Sequence, residues 1–133
     1  MTARLQLTSV TIGCPNPREL VAFYAKLLDA EITAMEPPGE GEQAPAGWAQ
    51  LRTTGDRGTI TLNFEFERQW RAPTWPSEPG RQHITQHLDI LVDDLEAAVA
   101  WAEACGARQA GYQPQDDVRV MIDPAGHPFC LYT

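Results

Sequence analysis

HLDILVDDLEAAVAWAEACGA, His87 to Ala107, decides the fold. His87-Leu88-Asp89-Ile90-Leu91-Val92 is short and apolar, as a strand should be. Asp93 or Asp94 then offers a side-chain oxygen to cap a helix. That helix turns Leu95, Ala98, Val99, Ala102 and Cys105 to one side, and Gly106 ends it. The same order occurs 78 positions upstream, where Ser9 falls on His87, Asn16 on Asp94, Val21 on Val99 and Phe23 on Trp101. There Asn16 is the cap, Pro17 takes the first helical position and Glu19 follows three residues after the cap. Leu20, Phe23, Tyr24, Leu27 and Leu28 make the apolar stripe, and the helix should end near Asp29.

Strands surround both helices. Leu5 to Gly13 alternates, with Leu5, Leu7, Ser9 and Thr11 on one side, so a strand is predicted there. Ala30 to Met35 and Trp48 to Thr53 are read as strands, with Gly55-Asp56-Arg57-Gly58 as a hairpin turn. Thr59 to Glu67 alternates apolar Ile60, Leu62, Phe64 and Phe66 with polar Thr61, Asn63 and Glu65. In the second half, strands are predicted at Arg108–Tyr112, Val118–Ile122 and Phe129–Tyr132. Asp123-Pro124-Ala125-Gly126 suits a type I turn, which makes His127 a loop residue. Glu36 to Pro45 is an acidic loop, and Arg68 to Gln82 a connector.

The pattern is α+β: two βαβββ repeats, residues 1–68 and 83–133, within one domain of 133 residues. A helix covers one face of each sheet and leaves the other open. The open faces are polar, which predicts paired, curved mixed sheets around a cupped cavity. Trp48, Gln50 and Arg52 alternate on one strand and should line it beside Asn63 and Glu65, with Arg119 and Met121 from the second repeat. His87 and Asp89 share a face, so the carboxylate can hold the imidazole in one tautomer as a general base. Trp70 and Trp75 sit in the connector, where packing is the commoner role.

Bulk properties narrow the partners. The net charge of −8 disfavours nucleic acid and anionic lipid, and together with the tryptophans it suits a small, cationic, partly aromatic ligand. No apolar run approaches the ~20 residues of a membrane span, and Met1-Thr2-Ala3-Arg4 lacks a signal-peptide core, so a cytoplasmic protein is expected. Cys14, Cys105 and Cys130 form no CxxC pair, which argues against a disulfide framework.

"CPNPRELVAFYAKLL", "WAQLR", "HLDILVDDLEAAVAWAEACGA" and "DPAGHPFCL", in that order, resemble the vicinal oxygen chelate superfamily. That superfamily includes glyoxalase I, bleomycin-resistance proteins and extradiol dioxygenases, and the chain is most similar to bacterial glyoxalase-like domain proteins. The resemblance implies a homodimer and aligns Ser9, Glu65, His87 and Cys130 with family metal-ligand positions. Ser9 is a poor ligand, and Cys130 stands where the family uses Glu. No cofactor is therefore expected; a divalent metal, if bound, would take Glu65, His87 and Cys130. Cys130 is read as a neutral, cavity-facing thiol at a vacated ligand position.

Two functions follow. One is a lyase or isomerase, or a dioxygenase relative, acting on a small oxygenated substrate with Glu65 and His87 as proton-transfer groups. The other is a non-catalytic protein that sequesters a ligand, as the antibiotic-resistance branch does. In both, Ser9, Trp48, Gln50, Arg52, Asn63, Asp89, Arg119 and Cys130 contact the ligand.

Overall fold

Capped helices and alternating strands assemble in the computed structural model, described here for residues 3–133, into two compact units, Met1–Arg68 and Gln69–Thr133. The leader reading that involved Met1 and Thr2 lies partly outside the described residues. The first unit runs β1 (Val10–Cys14), α1 (Pro17–Leu28), β2 (Glu31–Glu36), β3 (Trp48–Gly55) and β4 (Gly58–Phe66). The second runs β5 (Asp89–Leu91), α2 (Leu95–Cys105), β6 (Arg108–Gln109), β7 (Val118–Ile122) and β8 (Pro128–Tyr132). Each unit is a four-stranded mixed sheet with one helix, in the orders β1-β4-β3-β2 and β5-β8-β7-β6. The first and last strands of each unit pair in parallel, and the remaining pairs are antiparallel. The α+β expectation of two βαβββ modules holds.

The helix ends follow the sequence signals. Asn16 Oδ1 accepts from the Glu19 amide at 3.2 Å, and Asp94 Oδ1 accepts from the Ala97 amide at 3.0 Å. Both satisfy amides that have no partner inside the helix. Gly106 closes α2 with φ 118°, where a Cβ would be strained, and Asp29 does the same for α1 at φ 50°. Leu20, Val21, Phe23 and Tyr24 of α1 are buried, and Tyr24 stacks on Phe64 of β4 with centroids 5.9 Å apart. Ala49, Leu51 and Leu62 complete that covered face.

Three predicted strands are shortened. β1 begins at Val10, not Leu5: Leu5 and Leu7 are 92% and 89% exposed, so their alternation buries nothing that would hold a strand. β5 is assigned only to Asp89–Leu91, although Cys130 N–H to Leu88 O and Val92 N–H to Tyr132 O extend its pairing at each end. β6 stops at Gln109 rather than Tyr112 because a side chain takes over the ladder. Gln113 Oε1 accepts from Val120 N at 2.8 Å, while its Nε2 donates to Val120 O and Ala110 O.

Within the second unit the connector packs as a strap. Trp70 donates to Ala125 O at 3.1 Å and lies against the His127 ring, with centroids 4.5 Å apart. Trp75 donates to Tyr112 O and packs with Cys130 against Ala110, Val120 and Ile122. Gly126 is required beneath the strap, because a Cβ there would lie 2.6 Å from the Ala72 Cβ at a φ of 104°. Asp123 anchors the turn: its Oδ1 accepts from the amides of Ala125, Gly126 and His127, and His127 Nδ1 lies 2.8 Å from Oδ2. The carboxylate is 4% exposed, so Asp123→Ala strands three amides and is expected to cost about 3 kcal/mol or more in a urea titration. A loss under about 1 kcal/mol would show that the turn does not depend on this carboxylate.

Candidate functional site

Strand alternation leaves one face of each sheet free of its helix, and both free faces carry polar groups in register. In the first unit a single hydrogen-bonded row crosses the sheet. Thr33 Oγ1 donates to Gln50 Oε1 at 2.7 Å, Gln50 Nε2 donates to Asn63 Oδ1 at 2.8 Å, and Asn63 Nδ2 donates to Ser9 Oγ at 3.0 Å. Asn63 Nδ2 also reaches Thr11 Oγ1 at 3.3 Å. The register causes this, since Gln50 pairs with Asn63 and Asn63 with Thr11. All bonds run in one direction, so both amides are fixed in orientation. Trp48 pairs with Glu65, and Arg52 with Thr61 and Glu31, on the same face.

In the second unit Asp89 pairs directly with Cys130 across the parallel β5–β8 ladder, and His87 precedes Asp89 by two residues. All three therefore share one face. His87 Nε2 lies 3.1 Å from Asp89 Oδ1, and one ligand atom of each of His87, Asp89 and Cys130 lies within 4.8 Å of the others. The two side chains of the pair are 41% and 59% exposed, so the pair adds little stability; its effect is to orient. In the neutral ring the proton sits on Nε2, facing the carboxylate, and the lone pair remains on Nδ1. Burial, helped by the charge of Asp89, raises the Cys130 thiol above its ordinary pKa. It is a neutral thiol at pH 7.

The residues read from sequence are thus placed in three groups. Ser9, Trp48, Gln50, Arg52, Asn63 and Glu65 lie on the free face of the first sheet, and Ser9 and Asn63 are linked directly. His87, Asp89 and Cys130 converge in the second unit. Arg119 does not join them: it alternates with Val120, the partner of Cys130, and so lies on the opposite face with Met121. Its guanidinium donates to Asp116 O and Val118 O at 2.9 Å, stitching the turn before β7. The carboxylate beside His87 in its own unit is Asp89, so a donor set built only from family positions omits it; the i, i+2 spacing on one strand is the signal that finds it. A cleft of about 460 Å³ in the first unit, lined by Gly41, Glu42, Gln43, Ala46, Phe66 and Arg68, holds none of the residues read from sequence. It forms where the acidic loop meets the end of β4.

The thiol shift has a signed consequence. A raised thiol pKa favours the folded state fully below the unfolded thiol's pKa. That contribution is lost as pH rises through the folded value. Iodoacetamide alkylation of Cys130, mapped by peptide mass spectrometry, is expected to be slow at pH 7 and to accelerate at higher pH than a free cysteine does. Asp89→Asn should shift that profile partway back. A profile matching free cysteine would contradict the raised pKa.

Comparison with known proteins gives this geometry a setting. A family model described as "Glyoxalase-like domain" matches residues 9–132. No curated protein matches the chain by sequence. Among solved structures, a glyoxalase family protein from Enterococcus faecalis is similar at TM-score 0.63 and 21% identity, covering 96% of this chain and 97% of that one. A variant of the fosfomycin resistance protein FosX from Listeria monocytogenes, in complex with Mn(II) and 1S,2S-dihydroxypropylphosphonic acid, is similar at TM-score 0.65 and 12% identity, covering 98% and 90%. FosX from Mesorhizobium loti is similar at 0.64 and 14% identity, covering 98% and 93%. At such identities the structural likeness is one of fold, but the family match runs through nearly the whole sequence. The chain belongs to the glyoxalase-like domain family.

Proposed function

We propose that this protein binds a small oxygenated molecule and catalyses a lyase- or isomerase-type proton transfer on it, with His87 as the base. The observation that carries the reading is the 3.1 Å contact between His87 Nε2 and Asp89 Oδ1. It leaves Nδ1 as the acceptor, and a positioned imidazole accepts protons efficiently near neutral pH. Asp89 stabilises the imidazolium as it forms. Glu65 is the second proton carrier; it stands exposed, paired in register with Trp48. Ser9, Gln50 and Asn63 form a fixed row of donors and acceptors for substrate oxygens, with Trp48 and Arg52 beside them. Cys130, as a neutral thiol, contributes bulk and a weak donor.

The Mn(II) held by the Listeria FosX variant suits oxygen and nitrogen ligands. Of the four family positions here, Ser9 already accepts from Asn63 and Cys130 offers sulfur. That donor set does not fit manganese, so the proposed chemistry uses the chain's own acid and base. On the same reading residues 1–133 act as one domain, since the family match spans both units. Cys14, Cys105 and Cys130 as thiols suit a reducing cytoplasm, and a homodimer is expected from the family.

The amide row and Trp48 also support a second reading, a protein that sequesters its ligand without turnover. The two separate on one variant. A thermal-shift screen of oxygenated, aromatic and cationic metabolites supplies a ligand, and NMR follows its conversion. His87→Ala is expected to lower turnover by about a hundredfold or more with Kd nearly unchanged. Loss of affinity alone, with no turnover in the unsubstituted protein, would establish sequestration instead.

A further inference from the structure

We infer that His87, Asp89 and Cys130 form a site for a thiophilic divalent cation of the zinc class, built wholly from the second unit. Their ligand atoms, one nitrogen, one oxygen and one sulfur, lie within 4.8 Å of one another. Tetrahedral zinc, with bonds of about 2.0–2.3 Å, needs ligand separations of about 3.3–3.8 Å. The difference of about 1 Å falls to side-chain rotation, since strand pairing already sets the backbone of Asp89 and Cys130. Asp89 and Cys130 are directly paired in the parallel ladder, and the Cys130 amide donates to Leu88 O at 2.9 Å. Three protein ligands leave one position open to water, unlike a closed structural zinc site with four protein ligands.

This donor set differs from the one the family alignment implies. It uses Asp89 in place of Glu65 and takes nothing from the first unit. It also differs in preference: sulfur favours zinc, cobalt and cadmium over manganese or magnesium. Binding has a consequence for the proposed base, and only this consequence rests on that reading. A cation on His87 Nε2 displaces Asp89 from the ring and moves the ring proton to Nδ1, so the acceptor is lost. Zinc would then inhibit a metal-free proton-transfer enzyme.

The test is spectroscopic and independent of turnover. Purified protein, stripped by chelator, is titrated with Co²⁺. One equivalent is expected to give a sulfur-to-cobalt charge-transfer band with tetrahedral visible absorption. Zn²⁺ should bleach the band, and Mn²⁺ at a hundredfold excess should leave it unchanged. Cys130→Ser should abolish the band, Asp89→Asn should weaken binding tenfold or more, and Glu65→Gln should have no effect. In the unsubstituted protein, Zn²⁺ should protect Cys130 from alkylation, which keeps the inference testable if a variant fails to fold. No band at stoichiometric cobalt, a band that survives Cys130→Ser in folded protein, or a site lost with Glu65→Gln would overturn it. Zinc binding without inhibition would leave the site intact and count against His87 as the base.

Discussion

A four-stranded sheet with a single helix can bury only one of its faces, and the rest of this molecule follows from that constraint. In each unit the helix takes the apolar residues. Tyr24 stacks on Phe64 in the first, and the buried Met121, Phe129 and Leu131 lie opposite Cys130 in the second. The other face must be made tolerable by other means. The first unit uses polar residues bonded to one another, from Thr33 through Gln50 and Asn63 to Ser9. The second uses Trp75, drawn over Ala110, Val120 and Ile122 by the connector. It leaves His87, Asp89 and Cys130 at the β5–β8 edge.

Strand pairing turns this leftover surface into chemistry. Register decides that Asp89 faces Cys130 and that Gln50 faces Asn63. A shift of one residue would send these side chains beneath a helix. The devices that hold the register lie outside the site: the Gln113 amide that ends the β6–β7 ladder, and the Asp123 carboxylate that shapes the turn before β8. The positions proposed to carry function are therefore set by residues that lie outside the row and the His87–Asp89–Cys130 cluster.

Much of this was legible in the sequence because it is local. The caps at Asn16 and Asp94, the C-terminal Gly106 and the hairpin between Gly55 and Gly58 are each specified within a few residues, and each is present. Alternation likewise put Gln50, Asn63 and Glu65 on one face. What alternation does not encode is whether a strand has a neighbour, so Leu5 and Leu7 read as strand and stand exposed. Nor does it say which face a helix will cover, and Arg119, expected beside the ligand, lies on the face of β7 opposite Cys130. The strap is the least readable part. Trp70 and Trp75 have no periodicity, and their partners, Ala125 O and Tyr112 O, lie 55 and 37 residues away.

An imidazole oriented by its neighbour is central to the proposed chemistry, and the tautomer of His87 reports that orientation. Nitrogen-15 NMR of metal-free protein labelled at histidine reads the two ring nitrogens separately at neutral pH. A protonated Nε2 and a bare Nδ1 are expected for His87, with the preference lost in Asp89→Asn. A proton on Nδ1, or a spectrum unchanged by Asp89→Asn, would contradict it.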